Sequence, residues 1–247
     1  MVVRVIVLFT NVTSSKGMKH IACLITLMSY VMAKDQLQLE RDGILNFHVR
    51  TRATVQPTAS NMMLMTYSKK MEDLARRWVE RCEFKHPNPA TDPQYKGIGQ
   101  NLALTGGYTP NLTQMAQGWY DEIKNYDYEK NSCNGVCGHY TQMVWATSVS
   151  LGCAKKQCDS IKPDWRPPVY LMACQYEPAG NYIGKRPYEQ GGICSKCPTG
   201  YVCEKNQCAE KTTTTATPLS STTTSVATLP SACGFLVYAI FLIQISV

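Results

Sequence analysis

The chain has 247 residues, enough for one domain of ordinary size with appendages, and 44% of them are hydrophobic. Its formal net charge of +7 comes from 25 Lys and Arg against 18 Asp and Glu, with no basic run of the kind that makes a nucleic-acid surface. Twelve Cys argue for an oxidised, exported protein over a reduced intracellular one.

Residues 1 to 17 carry no regular pattern. Met18-Lys19-His20 is basic, Ile21 to Val31 is apolar, and Val31-Met32-Ala33 puts small residues where a signal peptidase cuts. We read 1–33 as a leader with a signal peptide, Met18 as the start and Ala33 as the last residue removed. The apolar run is too short to span a bilayer, which needs about 20 residues. Removing Arg4, Lys16 and Lys19 with the leader leaves 22 basic against 18 acidic residues, a mild +4. Cys23 goes with the leader and Cys233 lies in the tail, so ten Cys remain, an even number that suits disulfides.

A first helix is expected over Arg41 to Arg52, with Ile44, Leu45, His48 and Val49 on one side. A second begins after Ser68 as cap, where Met71, Leu74, Ala75, Trp78, Val79 and Cys82 share a face. It should run to about His86, since Pro87 disfavours helix there. Asn88 to Pro110 reads as loop with one short extended piece, Ile98 to Leu104. Leu112, Met115, Ala116, Trp119, Tyr120 and Ile123 give a third helix, with Glu122 on the border of its apolar stripe. The sequon Asn111-Leu112-Thr113 predicts an N-glycan at Asn111. A further helix starts at His139, and Gly152 to Cys158 with Val169 to Tyr176 reads as a hairpin. Helices and strands in mixed order give an α+β layered domain.

Residues 191–208 hold four Cys and few apolar side chains, so disulfides must hold them. Cys194-Ser-Lys-Cys197 is also half of a zinc ribbon, a reading that export disfavours. Residues 211–231 are a Thr/Ser-rich stalk that cannot bury a core. Residues 232–247 are apolar with no basic residue after them. Ser220 and Ser221, about 8 to 12 positions upstream, suit attachment of a glycosylphosphatidylinositol, with a short membrane anchor as the alternative.

Two blocks carry a family resemblance. Gly138-His139-Tyr140-Thr141-Gln142-Met143-Val144-Trp145 and Tyr170-Leu171-Met172-Ala173-Cys174-Gln175-Tyr176-Glu177-Pro178-Ala179-Gly180-Asn181-Tyr182 resemble the two signatures of the CAP superfamily of cysteine-rich secretory proteins, antigen 5 and pathogenesis-related proteins. The resemblance covers about residues 36 to 208, with a CAP domain over 36–186, and implies a three-layer α-β-α sandwich followed by a small disulfide-stapled hinge module at 191–208. It implies five bridges, Cys82 with Cys158, Cys133 with Cys137, Cys153 with Cys174, Cys194 with Cys203 and Cys197 with Cys208. The larger channel-blocking module that follows in some members is missing, which argues against channel regulation.

The resemblance also implies a cleft built from His86, Gln100, Glu122 and His139. Gln100 stands where many members have a carboxylate, so one charge is lost. His86, His139 and Glu122 form a weak, open site for a divalent ion such as zinc, with no cofactor required. His139, at a positive helix start, should stay neutral and able to ligate. The alternative is a hydrogen-bonded brace between elements. A hydrolase would need a nucleophile, and Thr141 and Ser148 are only weak candidates. Family members bind sterols and other lipids near the third helix, where a Gly-bearing loop from Leu102 to Thr109 carries Tyr108; Tyr126 and Tyr128 should also face outward, and Trp119 and Tyr120 inward. The expected function is that of an extracellular, surface-tethered binding protein for sterol or other lipid and for extracellular or cell-surface proteins. The competing classes are a metal-dependent or serine-type hydrolase and a structural coat glycoprotein.

Overall fold

A computed structural model of the chain describes residues 15 to 211. The stalk beyond Lys211, the candidate attachment residues Ser220 and Ser221, and the apolar tail lie outside the described residues. One unit takes in residues 1 to 37 and 214 to 247, of which 15 to 37 are described, as helix; the other, residues 38 to 213, carries the whole sheet and both apolar clusters.

The first helix, α1, runs Ser15–Ala53, far longer than the predicted Arg41 to Arg52. No proline interrupts the chain before Pro57, so nothing local stops the helix until then. The leader cut expected after Ala33 falls inside it. Strand β1 is Thr66–Tyr67, followed by α2, Lys69–Val79, whose cap Ser68 accepts from the Met71 N–H at 3.3 Å. Helix α2 ends well short of His86. Cys82, bridged to Cys158, has φ +51, which turns the chain out of the helix and leaves His86 in an exposed loop.

Strand β2, Gly99–Gly106, contains most of the expected extended piece Ile98 to Leu104 and runs on through much of the expected Gly-bearing loop, of which residues 107 to 109 lie outside it. Helix α3, Leu112–Tyr120, starts from Asn111 through a reciprocal capping box with Gln114. It gives way to a 3-10 turn, Asp121–Asn125, so Glu122 lies beyond the helix and not on its stripe. Short strands β3, Tyr126–Asp127, and β4, Ser132–Cys133, pair ahead of α4, Gly138–Met143. Strands β5, Ser150–Gln157, and β6, Val169–Glu177, form the expected antiparallel hairpin, and β7, Tyr201–Glu204, pairs with β8, Gln207–Glu210, near the C-terminal end.

The main sheet has the order β1-β5-β6-β2, and β6 shows why it has two cores. Its side chains alternate: Leu171 and Ala173 pack with Met71, Leu74, Trp78 and Val79 of α2. Met172, Cys174 and Tyr176 pack on the other side with Ile44 of α1, Leu112, Met115 and Trp119 of α3, and Met143 of α4. Helices therefore cover both faces, the three layers of an α-β-α sandwich.

The five disulfides are Cys82–Cys158, Cys133–Cys137, Cys153–Cys174, Cys194–Cys203 and Cys197–Cys208. Cys153 and Cys174 are direct cross-strand partners. Cys82–Cys158 ties the chain after α2 to the end of β5, closing a 76-residue separation that the chain-entropy model values at roughly 4 to 5 kcal/mol. Residues 191 to 208 are held by more than their bridges: the Cys208 N–H donates to Met62 O, Leu64 N–H to Cys208 O, and Lys196 N–H to Ser60 O.

Candidate functional site

Helix α4 begins at Cys137, whose sulfur is in a disulfide and makes no side-chain cap. The first-turn N–H groups still need acceptors. Glu122 supplies them from the turn after α3: its Oε2 accepts from the backbone N–H of His139 at 2.9 Å and of Tyr140 at 3.1 Å. The other carboxylate oxygen, Oε1, lies 2.5 Å from His139 Nδ1. The imidazole also stacks on Trp119, with centroids 6.0 Å apart and planes 13° from parallel, and the indole N–H donates to Leu102 O at 3.0 Å. Carboxylate and indole together fix the ring so that Nδ1 is occupied and Nε2 is the atom left for a ligand.

The second pair is His86 with Gln100. Their contact, His86 Nδ1 to Gln100 Oε1 at 2.9 Å, joins the exposed loop to β2 and again occupies Nδ1. The four residues therefore stand as two pairs, each an imidazole held through Nδ1 by a side-chain oxygen. Among the described residues the trio of metal-type side chains whose ligand atoms all lie within 4.8 Å of one another is Cys194, Cys197 and Cys208, and all three are in disulfides. That disposes of the zinc ribbon.

Asn101 was not anticipated. It is buried, and its Nδ2 donates to His139 O at 3.0 Å and to the Tyr176 hydroxyl at 3.2 Å. Strand alternation carried the signal: if Gln100 faces α2, Asn101 must face α3 and α4. The two hydroxyls weighed as nucleophiles are engaged elsewhere, Thr141 donating to Asn181 Oδ1 at 2.8 Å and the buried Ser148 to Pro178 O at 2.8 Å.

At the end of β2, Tyr108 is 51% exposed after Gly107, whose φ of +86 suits glycine. Trp165, 40% exposed, lies so close to Gly106 that a Cβ there would sit 3.1 Å from its ring. Thr109 and Tyr170 share a hydroxyl hydrogen bond at 3.3 Å. Tyr108 and Trp165 are thus two exposed aromatic residues near the end of β2, whereas Tyr170 packs against the α3 side of the sheet. Tyr126 is half-buried, and Tyr128, expected outside, is buried against Tyr188 with centroids 4.7 Å apart. Two cavities of about 730 and 500 Å³ share Trp145, Tyr182 and Lys185 in their linings, and neither is lined by any of the four paired residues.

The model of the cysteine-rich secretory protein family, CAP, matches residues 45–176. The chain is 39% identical over 165 residues to mouse (Mus musculus) glioma pathogenesis-related protein 1, covering 65% of this chain and 61% of that protein. It is 37% identical over 196 residues to Xenopus laevis peptidase inhibitor 15, covering 72% of each. Against human (Homo sapiens) cysteine-rich secretory protein LCCL domain-containing 2 it is 36% identical over 206 residues, 77% of this chain but 41% of that protein. Among solved structures, NaASP2 with Zn2+ matches with a TM-score of 0.56 at 31% identity, over 68% of this chain and 94% of that one. Schistosoma mansoni venom allergen-like protein 4 matches with a TM-score of 0.50 at 30% identity, over 64% and 98%. Sequence, bridges and three-layer fold agree: the chain belongs to the cysteine-rich secretory protein, or CAP, family.

Proposed function

We propose that this protein works outside the cell by binding, with sterol or another lipid as its small ligand and extracellular or cell-surface proteins as partners. The observation that carries this reading is the engagement of Glu122. A carboxylate that caps α4 and orients His139 is a positioning group, and a hydrolytic reading would need it or a nearby hydroxyl free to move protons. Lipid would dock near the end of β2, since the exposed Tyr108 and Trp165 present large apolar rings with a polar edge, the type of side chain that sits at a membrane–water boundary.

A divalent ion would be a weak second ligand. NaASP2 has been crystallised with Zn2+. The two imidazoles here fit such an ion in one respect, because a ligating histidine holds its other ring N–H against an oxygen acceptor, as both do. The neutral Gln100 and the fully engaged Glu122 leave few further donors, so the affinity would be low. The leader and the C-terminal segment make the protein exported and surface-tethered on this reading.

Flotation of the purified protein with phosphatidylcholine vesicles, with and without cholesterol, tests the proposal. We expect cholesterol-enhanced flotation that Tyr108→Ala and Trp165→Ala weaken and His139→Ala leaves unchanged. A protein that stays at the bottom of the gradient with both vesicle types would refute lipid as the ligand.

A further inference from the structure

Gln100 and Gln175 stand directly opposite each other on β2 and β6. Their neighbours two positions along, Leu102 and Ala173, pack with α2, so both glutamines also point to that face. Beyond them in the same row is Gly152 of β5, where an added Cβ would lie 2.0 Å from the Glu72 backbone nitrogen. The α2 backbone thus presses onto the sheet at Gly152 and closes off the row. Among the described residues, three buried side-chain polar atoms have no hydrogen-bond partner: Gln100 Nε2, Gln175 Nε2 and Gln175 Oε1. All three belong to this one cross-strand pair. Gln175 is fully buried, and exchanging its amide oxygen and nitrogen leaves both atoms as unpartnered as before.

Two buried amide donors and one carbonyl acceptor, with no protein group to meet them, cost too much to leave bare. A cation does not suit them, because amide N–H groups present positive charge. Water does: it accepts from both amides and donates to the carbonyl, and about three such bonds are usual for an internal water. We infer that the Gln100–Gln175 pair holds at least one internal water between β2, β6 and α2, and that this hydrated pair positions His86. With Gln100 Nε2 committed to water, its Oε1 faces His86 and accepts from Nδ1–H at 2.9 Å, so the Nε2 lone pair of His86 is the one presented to a ligand. Glu122 does the same for His139 with a carboxylate. The consequence for ligand presentation rests on the proposed binding role of the cleft; the water site does not.

The test is nuclear magnetic resonance of the unaltered protein, with the Gln175→Leu variant beside it. In the unaltered protein, the side-chain amides of Gln100 and Gln175 should show cross-peaks to a long-lived water, and His86 should carry its proton on Nδ1. In Gln175→Leu, the melting temperature should fall by about 3 °C or more. The 15N shifts of His86 should move toward mixed tautomers, and those of His139 should stay put. A variant that melts at or above the original temperature means the glutamine atoms were bare, and overturns the proposal. Absence of water cross-peaks in the unaltered protein overturns it as well, even where the variant fails to fold. Neither failure bears on vesicle flotation, which reads the binding proposal separately.

Discussion

The Nε2 atom of His48, on a fully buried ring, lies 2.9 Å from the Tyr176 hydroxyl, 128 residues away in sequence. The directions of the network follow from its ends. His48 Nδ1 faces Ile44 O at 2.9 Å and must donate, so Nε2 accepts from Tyr176, whose oxygen accepts in turn from Asn101. Burial pushes the His48 pKa from 6.5 down to about 4. A depressed pKa means that the folded state binds the proton less well than the unfolded chain. Its stabilising contribution is therefore complete above pH 6.5 and is lost as pH falls toward 4. The total is about 3 kcal/mol. Urea midpoints measured between pH 7 and pH 4 should fall less steeply in His48→Gln than in the unaltered protein. Parallel slopes would show that His48 contributes nothing to the acid lability.

Removing the hydroxyl by Tyr176→Phe strands His48 Nε2 and one Asn101 N–H in the core. The expected cost is about 1 to 3 kcal/mol by chemical denaturation. A change near zero would mean that the network is not formed in solution.

Glu122 makes three bonds to the start of α4, so His139→Ala, which removes one, should cost about 1 to 3 kcal/mol. Gln100→Glu should also lose stability and gain zinc affinity, since it restores a carboxylate to the cleft. Thermal melts with and without zinc check both. We expect at most a small zinc shift in the unaltered protein; a rise of many degrees would make the cleft a true metal site.

Arg52, 1% exposed, donates to Trp145 O and Met63 O at 2.7 Å, Ala146 O at 3.0 Å, Met143 O at 3.1 Å and Gln207 Oε1 at 3.3 Å. Every acceptor is neutral, and burial brings its pKa down to about 9. Arg52→Met would take the donor from Met63 O, Met143 O and Gln207 Oε1 at the junction of α1, α4 and β8, while Trp145 O and Ala146 O keep the backbone N–H groups of Ser148 and Met63. We expect a loss of at least about 3 kcal/mol, together with faster proteolysis within residues 191 to 210. Unchanged protease resistance would show that the hairpin of β7 and β8 does not depend on Arg52.

Asn111 uses Oδ1 to cap α3, while among the described residues no hydrogen bond engages its Nδ2, the atom a glycan would take. Glycosidase digestion of the protein expressed through a secretory pathway should therefore shift its gel mobility, and Asn111→Asp should abolish the shift while keeping the cap. Asn111→Ala should lose both, with a cost of about 1 kcal/mol. A mobility unchanged by digestion would remove the glycan. On the same cells, phosphatidylinositol-specific phospholipase C should release the protein. Retention beside a shed lipid-anchored control would point instead to a membrane helix.

Local pattern determined much of this protein. The i, i+3, i+4 spacing from Met71 to Val79 and from Leu112 to Trp119 suffices for α2 and α3, because a face that must be buried repeats with the helix period. Alternation and chain punctuation suffice for the β5–β6 hairpin, and the two signature blocks for the family and, through it, the bridges. Tertiary structure alone decided where the elements stop and what their polar side chains meet. The end of α2 depends on Cys82, turned by its bond to β5, and the place of Glu122 depends on the unsatisfied N–H groups of α4. His48 and Arg52 look in sequence like ordinary members of one helix, but their partners come from β6, α4 and β8. A buried polar group takes whatever acceptor the packed chain brings within about 3 Å, and no local periodicity records that distance.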